Sequence, residues 1–581
     1  MTDPYVVEWI KQTGFNTAFS EVLPCIAADS DSVYVTYQTN AVVPGGTIAG
    51  GFSDIVVMRI NNAGTVLWLK QTTLMNTAGF DANQTIAADS DGLYVTYQTG
   101  GTVSGGVQSG SPGAYDIVVM RMNKIDGSVS WIQQTAVMST AGDDSRPRIA
   151  AYSDDLYVTY YTDGTVSGGV LSGNYDIVVM RMSKANGSVV WIKQTALMNA
   201  GGYVFDPNIA ADLDGIYVTY TTIAGTVLGG VNSGGYDIVV MRMDTNGSVV
   251  WIKQTALMNT AESEVGPTIA ADLDGLYVTY ETSGTVSGGV LSGTSDIVVM
   301  RMTKSDGSVA WIKQTALMNT AGGDSIPTIA ADSTGLYVTY TTTGTVSGGI
   351  QSGAPGTYDI VVMRLDKTNG SVVWIQQTEL MNTSGNESAP QIATDSTGLY
   401  VTYYTDGTVS GGVLSGDNDI VVMRMRSPLS ICLLEGTLVR TPTGSVPIEL
   451  VKKGDYVLNQ NYNPVRVLLT SKRTFQYKDN PTNKFDMDNS LYTLPAGILG
   501  ATSNVYLTRH HKFLTSDGTM KKPEEYGLKR SKLAEFSRTN SLYSVYHLRL
   551  EDCYNNHFIV NGDCVVEDWW DRINLTETQI V

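Results

Sequence analysis

Histidine is absent from the first three quarters of this 581-residue chain; all four (His510, His511, His547 and His557) lie near its end. Imidazole acid–base or metal chemistry is thereby excluded from the larger part. Cysteine is nearly as scarce: four residues cannot build a disulfide framework. Charged residues make up only 16%, and the net charge of −19 argues against a nucleic-acid partner. No apolar run is long enough to cross a bilayer as a helix, so no membrane span is expected. The opening MTDPYVVEW has neither a basic nor an apolar leader segment, so no secretory signal is expected and an intracellular location is the default reading. What the chain has in plenty is glycine, 60 against 17 prolines, which indicates many turns.

The charge is unevenly spread. Residues 429–581 hold 18 basic and 17 acidic residues, whereas residues 1–428 hold 19 and 39, a net of −20. Two kinds of domain are joined near Ser427-Pro428.

The first part repeats itself seven times. Trp followed by (I/L)-(K/Q)-Q-T recurs at Trp9, Trp68, Trp131, Trp191, Trp251, Trp311 and Trp374, at spacings of 59, 63, 60, 60, 60 and 63. D-I-V-V-M-R begins at Asp54, Asp116, Asp176, Asp237, Asp296, Asp359 and Asp419. A (L/V/I)-Y-V-T-Y phrase, as at Leu93–Tyr97, precedes each, and a short I-A-(A/T) phrase precedes that. Each repeat thus carries four short β-branched and aromatic runs, which read as strands. Turns such as Asp89-Ser90-Asp91-Gly92 join the first two. Asn-Gly or Asp-Gly, as at Asp126-Gly127, joins the last two, the strongest short hairpin signal. Four antiparallel strands in about 60 residues, seven times over, predict a β-propeller. The chain opens on a lone fourth strand, Val6–Thr13, and its last repeat stops after the third, Asp419–Met425. Pairing these two would close the ring without an open edge. Residues 5–425 resemble the SBBP-type repeat family of seven-bladed propellers, which implies a binding or structural module for an unknown protein or glycan ligand.

Several repeated residues have plain structural readings. The seven arginines ending D-I-V-V-M-R (Arg59, Arg121, Arg181, Arg242, Arg301, Arg364, Arg424) read as strand-end charges paired with acidic turns. The D-x-D-G turns read as turn chemistry, since two carboxylates do not supply calcium's six to eight oxygens. The tryptophans read as packing between blades. The Asn-Gly-Ser sequences at Asn186, Asn246 and Asn369 read as turns. Cys25 stands where other repeats carry Thr, Asn, Arg or Gln and reads as a buried bystander.

From Cys432 the character changes. The chain reads Cys432-Leu-Leu-Glu-Gly436-Thr437, then Ile448-Glu449-Leu450 and Gly454-Asp455-Tyr-Val457; further on come Thr508-Arg-His510-His511, Val545-Tyr546-His547, and His557-Phe558-Ile-Val-Asn561-Gly562. The first phrase, Thr508–His511 and His557–Gly562 are three ordered blocks that resemble the Hint (hedgehog/intein) domain over about residues 432–568. The expected architecture is therefore all-β: propeller 1–425, linker 426–431, Hint domain 432–568 and tail 569–581.

The resemblance implies a self-processing reaction at the Ile431–Cys432 bond. The Cys432 thiol attacks the Ile431 carbonyl, exchanging an amide for a thioester, and sulfur suits this as nucleophile and leaving group. His511 is the general acid for the departing nitrogen, and Thr508 holds the scissile amide. The thioester is then resolved by a side chain, water, an external thiol or amine, or a sterol; no cofactor or metal is implied. His547 stands where many family members have Asp or Cys, as a substitute acid–base or a sign of decay. His510 reads as an exposed neighbour, His557 as structural, and Cys553 and Cys564 as packing. Val565-Val566-Glu567-Asp568 lacks the terminal Asn of an intein, which argues against splicing. The tail after Asp568 is too short for a sterol-recognition region. Ile431 is β-branched and should slow the attack. The alternative is a non-enzymatic propeller protein, such as a virion or surface component, with a silent Hint domain.

Overall fold

The computed structural model describes residues 5–426 apart from 112, 396 and 397, and then 433–434, 436–452, 454–476, 491–496, 498–499, 501–508, 513–514, 520–521, 528, 542–550, 558–561 and 564–566. The chain divides into two compact units, Met1–Arg426 and Ser427–Val581. Among the described residues there is no α-helix.

The first unit is a seven-bladed β-propeller. Blades 1 to 6 are four-stranded antiparallel sheets spanning 21–70, 81–133, 144–193, 203–253, 264–313 and 324–376. Blade 7 takes three strands from 387–426 and its fourth from the N-terminus: Val6–Lys11 pairs antiparallel with Asp419–Arg426, Val6 opposite Arg426 and Lys11 opposite Val422. The first strand of every blade packs against the first strands of both neighbours, with Glu387–Thr394 meeting Glu21–Ala28, so the circle is closed. Between blades lie cores of Val, Ile, Met and Tyr from the alternating faces of the Y-V-T-Y and D-I-V-V-M-R strands.

Buried polar residues fix each blade in the same way. Gln134 donates to Gly101 O at 2.9 Å and to Asp116 Oδ2 at 3.0 Å, while its Oε1 accepts from Val103 N. Gln12 does the same across the seam, to Gly407 O and from Val409 N. The Q of W-(I/L)-(K/Q)-Q thus ties the fourth strand to the long loop, and its burial demands those partners.

The arginines act differently from the expectation. Arg59, Arg121, Arg181, Arg242 and Arg301 donate to a backbone carbonyl in the last turn of the next blade, as Arg242 does to Lys304 O at 3.0 Å. Carboxylate pairs are made by Arg181, on Asp155, and by Arg424, on Glu8. Other acidic turns are met instead by lysines of the next blades: Lys124 on Asp29, Lys184 on Asp89, Lys304 on Asp212 and Lys367 on Asp272. Arg121, Arg242 and Arg301 do reach the acidic turns of their own blades, but through backbone: they also donate to Asp91 O, Asp214 O and Asp274 O, which leaves the turn carboxylates to the lysines.

The tryptophans do join blades, and they share those carbonyls. Trp251 Nε1 donates to Lys304 O at 2.9 Å. The Asn-Gly and Asp-Gly pairs do not make two-residue hairpins. Gly127 closes a longer turn, its N–H donating to Asn123 O while Asn123 N donates to Ser128 O, with a bulge at Arg121/Met122. Its φ is +70°, and a Cβ would stand 2.9 Å from Trp68 of the preceding blade. The sequon residues serve these turns: Asn186 Oδ1 accepts from Ser188 N and Asn369 Oδ1 from Ser371 N.

The second unit is built on two six-stranded sheets. One runs Tyr456–Leu458, Pro464–Gln476, Leu542–Leu550, Leu433–Leu434, Val505–Thr508, Leu491–Leu494; the other runs Gly444–Pro447, Leu438–Thr441, Phe558–Val560, Cys564–Val566, Phe513–Leu514, Met520–Lys521. Leu433, Val439, Val457, Val467, Val505, Leu548 and Val560 form the core.

Candidate self-processing site

The two-residue strand Leu433–Leu434 begins where the candidate nucleophile ends. Leu433 is fully buried and paired on both sides, with Leu507 on one flank and Tyr546 on the other. Leu507 and Tyr546 immediately precede Thr508 and His547. Three segments far apart in sequence thus meet beside the chain neighbour of Cys432. Thr508 ends its strand opposite Leu491, and His547 lies opposite Ser471. Ile431, Cys432, His510, His511, Cys553 and His557 lie outside the described residues.

The block residues around this point set the backbone. Gly436, at φ +88°, follows the strand and donates its N–H to Glu449 Oε2 at 2.9 Å. Ile448 N donates to Thr437 O at 2.8 Å, and Thr437 Oγ1 donates to Leu434 O at 2.6 Å. Gly-Thr and Ile-Glu-Leu therefore hold one another, and the buried Ile448 anchors both in the core. Gly454-Asp455 makes a turn in which Asp455 Oδ2 accepts from Lys452 N at 2.8 Å.

Asn561 is a structural linchpin whose role the sequence motif did not reveal. Its Oδ1 accepts from Leu438 N at 2.7 Å, its N–H donates to Leu438 O at 2.8 Å, and its Nδ2 donates to Asn504 O at 2.8 Å. Its φ of +42° is left-handed, which Asn tolerates better than most residues. The asparagine beside a glycine in the last block was the available signal.

In the propeller, the first strands carry a feature the sequence did not announce. Each has a bulge shortly before Ile-Ala, as at Val22/Cys25 and Ser145/Arg148. The bulge residue is left-handed in all seven: Leu23, Asn83, Arg146, Asp206, Gly266, Ile326 and Ala389 have φ between +48° and +58°. In six blades proline follows, which a strand accepts at a bulge because no N–H is missed. The next residues line a cavity of about 190 Å³ in the centre, among them Cys25, Thr85, Arg148, Asn208 and Gln391. Cys25 is thus a half-buried thiol that lines this cavity while packing against the core between blades 1 and 2, and burial pushes its pKa up.

The family described as Hint domain matches residues 431–531. The two sheets also take in later segments, 542–550, 558–560 and 564–566. No curated protein matches the chain. Among solved structures, the chain is similar to a bacterial intein-like domain from Clostridium thermocellum, with 18% identity over 24% of this chain and 99% of that one, at a TM-score of 0.18. It is similar to an Msm DnaB1 intein splicing domain bound with zinc, at 13%, over 24% and 99%, TM-score 0.17. It is also similar to a subtype N11 neuraminidase-like protein of A/flat-faced bat/Peru, at 10%, over 73% and 93%, TM-score 0.34. By the family match, residues 431–531 of the C-terminal unit hold a Hint domain, a self-processing type of domain, and the N-terminal unit is a seven-bladed propeller.

Proposed function

We propose that the chain cleaves itself between Ile431 and Cys432 by an N-to-S acyl shift, freeing or transferring the propeller. The observation that carries this reading is the double pairing of Leu433 with Leu507 and Tyr546, which brings Thr508, His547 and the residue after Cys432 to one place. Cys432 Sγ gives up its proton to His547 or to water and attacks the Ile431 carbonyl carbon. The C–S bond forms, the C–N bond breaks, and the freed amine takes a proton from His511. Thr508 steadies the scissile amide, and His547 serves as a second acid–base group. Water, a thiol or an amine then attacks the thioester, releases the Cys432 thiol, and leaves the propeller ending in an Ile431 acyl group. The propeller is the binding or structural cargo.

Intact-mass spectrometry of the full chain tests this, with wild type and Cys432→Ala compared with and without hydroxylamine. Expected is a break after Ile431 in wild type alone, accelerated by hydroxylamine and leaving a hydroxamate on the propeller fragment. Intact chains in every condition, or equal cleavage of Cys432→Ala, refute the reading.

A further inference from the structure

A sevenfold repeat makes its own departures visible, and they gather where blades 3 and 4 meet. Tyr161, Tyr175, Tyr203 and Phe205 form a cluster of four rings there. Tyr175 meets Tyr161 edge-on at 5.4 Å, and Tyr203 lies parallel to Phe205 at 6.1 Å and 6°. In the other blades the place of Phe205 is Val, Ala or Ser. Among the described residues, the nearest counterpart is a single pair, Phe80 and Tyr115. A cluster that only filled space would be enclosed, yet Tyr203 is 40% exposed and Phe205 half-buried.

Charged groups adjoin these rings. Asp206, next to Phe205 at the left-handed bulge, pairs with Arg146 at the corresponding bulge of blade 3. Two residues further along each strand stand Arg148 and Asn208, on the wall of the central cavity. Arg148 is the one charged residue at a position that is Cys, Thr, Asn or Gln in the other blades. Its guanidinium donates to its own neighbour, Pro147 O, at 3.1 Å. The nearby carboxylate of Asp206 is engaged by Arg146. Arg148 is half-buried on that wall, and burial pushes its guanidinium down while Asp206 acts against the shift. In a unit whose net charge is −20, this corner holds two arginines against one aspartate.

We propose that this corner of the channel binds an acidic saccharide, one sugar ring lying on the Tyr203–Phe205 pair and its carboxylate drawn to Arg148. A sugar offers an apolar C–H face to the rings and hydroxyls at its edge to the Arg146–Asp206 pair and Asn208. A guanidinium takes a carboxylate through two parallel hydrogen bonds. Partly exposed rings followed along the strands by polar groups that line a cavity, Arg148 and Asn208, have the composition of a small-ligand site. An extended peptide fits less well, because the inner strand of each blade here is broken by its bulge and by Pro147 or Pro207, which spoils the edge for strand addition.

The test uses the full chain carrying Cys432→Ala, so that it is independent of cleavage. The protein is applied to an array of uronate- and sialate-bearing oligosaccharides beside neutral counterparts, and retained glycans are then titrated calorimetrically. Expected is retention of carboxylated glycans, with neutral ones weaker by about tenfold or more. Arg148→Gln should erase that preference and Arg148→Lys should keep part of it. Phe205→Ala should weaken every retained glycan by about tenfold, with the melting temperature checked for each variant. Retention of no glycan overturns the proposal, as does retention that neither Arg148→Gln nor Phe205→Ala changes. Displacement by inorganic phosphate with an affinity indifferent to Phe205→Ala also overturns it, since that describes an anion site without a sugar.

Discussion

Exchanging Gly187 for alanine probes the blade-to-blade contact most directly, because the same blade supplies its control. Gly187 closes the last turn of blade 3 at φ +72° and lies on Trp131 of blade 2; a Cβ there would stand 2.7 Å from Trp131 Cε3 and Cζ3. Gly168 has φ +75° and nothing within 4 Å of the same construction. The two share a backbone conformation and differ in space. Left-handed strain costs an alanine about 1 kcal/mol, and at Gly168 that is the whole expected effect. At Gly187 the indole must also give way, although its Nε1 is held by Lys184 O at 3.0 Å. Overpacking of this kind costs about 1–3 kcal/mol, so Gly187→Ala should lose about 2–4 kcal/mol in all. Urea unfolding of the full chain in the Cys432→Ala background, followed by tryptophan fluorescence, measures both midpoints at unchanged m-value. Equal losses for Gly187→Ala and Gly168→Ala would refute the claim that glycine is required there by the neighbouring indole.

Three other outcomes follow from the buried polar groups. Burial raises Asp144 to about 7, Asp81 and Asp324 to about 6, and Glu387 to about 7. The folded state therefore holds more protons than the unfolded one between about pH 4 and 7. Stability should be full below this window and fall as pH rises through it, with Asp144→Asn flattening the slope; a melting temperature that climbs from about pH 4.5 to 7.5 contradicts this. Trp251 Nε1 has Lys304 O as acceptor, whereas Trp374 Nε1 is buried without one among the described residues. Trp251→Phe should then cost about 1 kcal/mol more than Trp374→Phe in urea unfolding, and equal costs count against the shared-carbonyl staple. Asn561→Ala strips Leu438 N of its acceptor and should destabilise the C-terminal unit by about 1–3 kcal/mol, slowing fragment release after Ile431 even with Cys432 present. Unchanged release in Asn561→Ala removes Asn561 from the site's support.

The blades were legible because each strand-forming run is spelled seven times and the missing fourth strand of blade 7 is supplied by Val6–Lys11. The bulges were not, because what is constrained there is backbone, and side chains as unlike as Leu23, Arg146 and Ala389 occupy the same left-handed position. Pairing by charge type gave the arginines only part of their partners, because most of their bonds go to backbone carbonyls. Residues near opposite ends of adjacent repeats meet, so Arg242 donates to Lys304 O as well as to Asp214 O, and the Asp212 carboxylate is met by the Lys304 ammonium. In the C-terminal unit the chemistry-bearing residue types stood out as blocks. Their convergence on Leu433 did not, because its partners Leu507 and Tyr546 lie far along the chain, and register across such a separation is a property of the assembled sheet.

The junction gives the two units a common logic. Ring closure depends on Val6–Lys11 pairing with Asp419–Arg426, and Arg424 further ties that strand to Glu8 and to Asn62 O. The last paired residue, Arg426, precedes the proposed scissile bond by five residues. A cut after Ile431 therefore removes no strand, no inter-blade staple and no buried glutamine network from the propeller. A cut a few residues earlier would shorten the strand that receives the N-terminus and open the ring at its seam. The proposed scissile bond thus lies beyond the last described residue that pairs in closing the ring, so the proposed cut would leave that pairing whole.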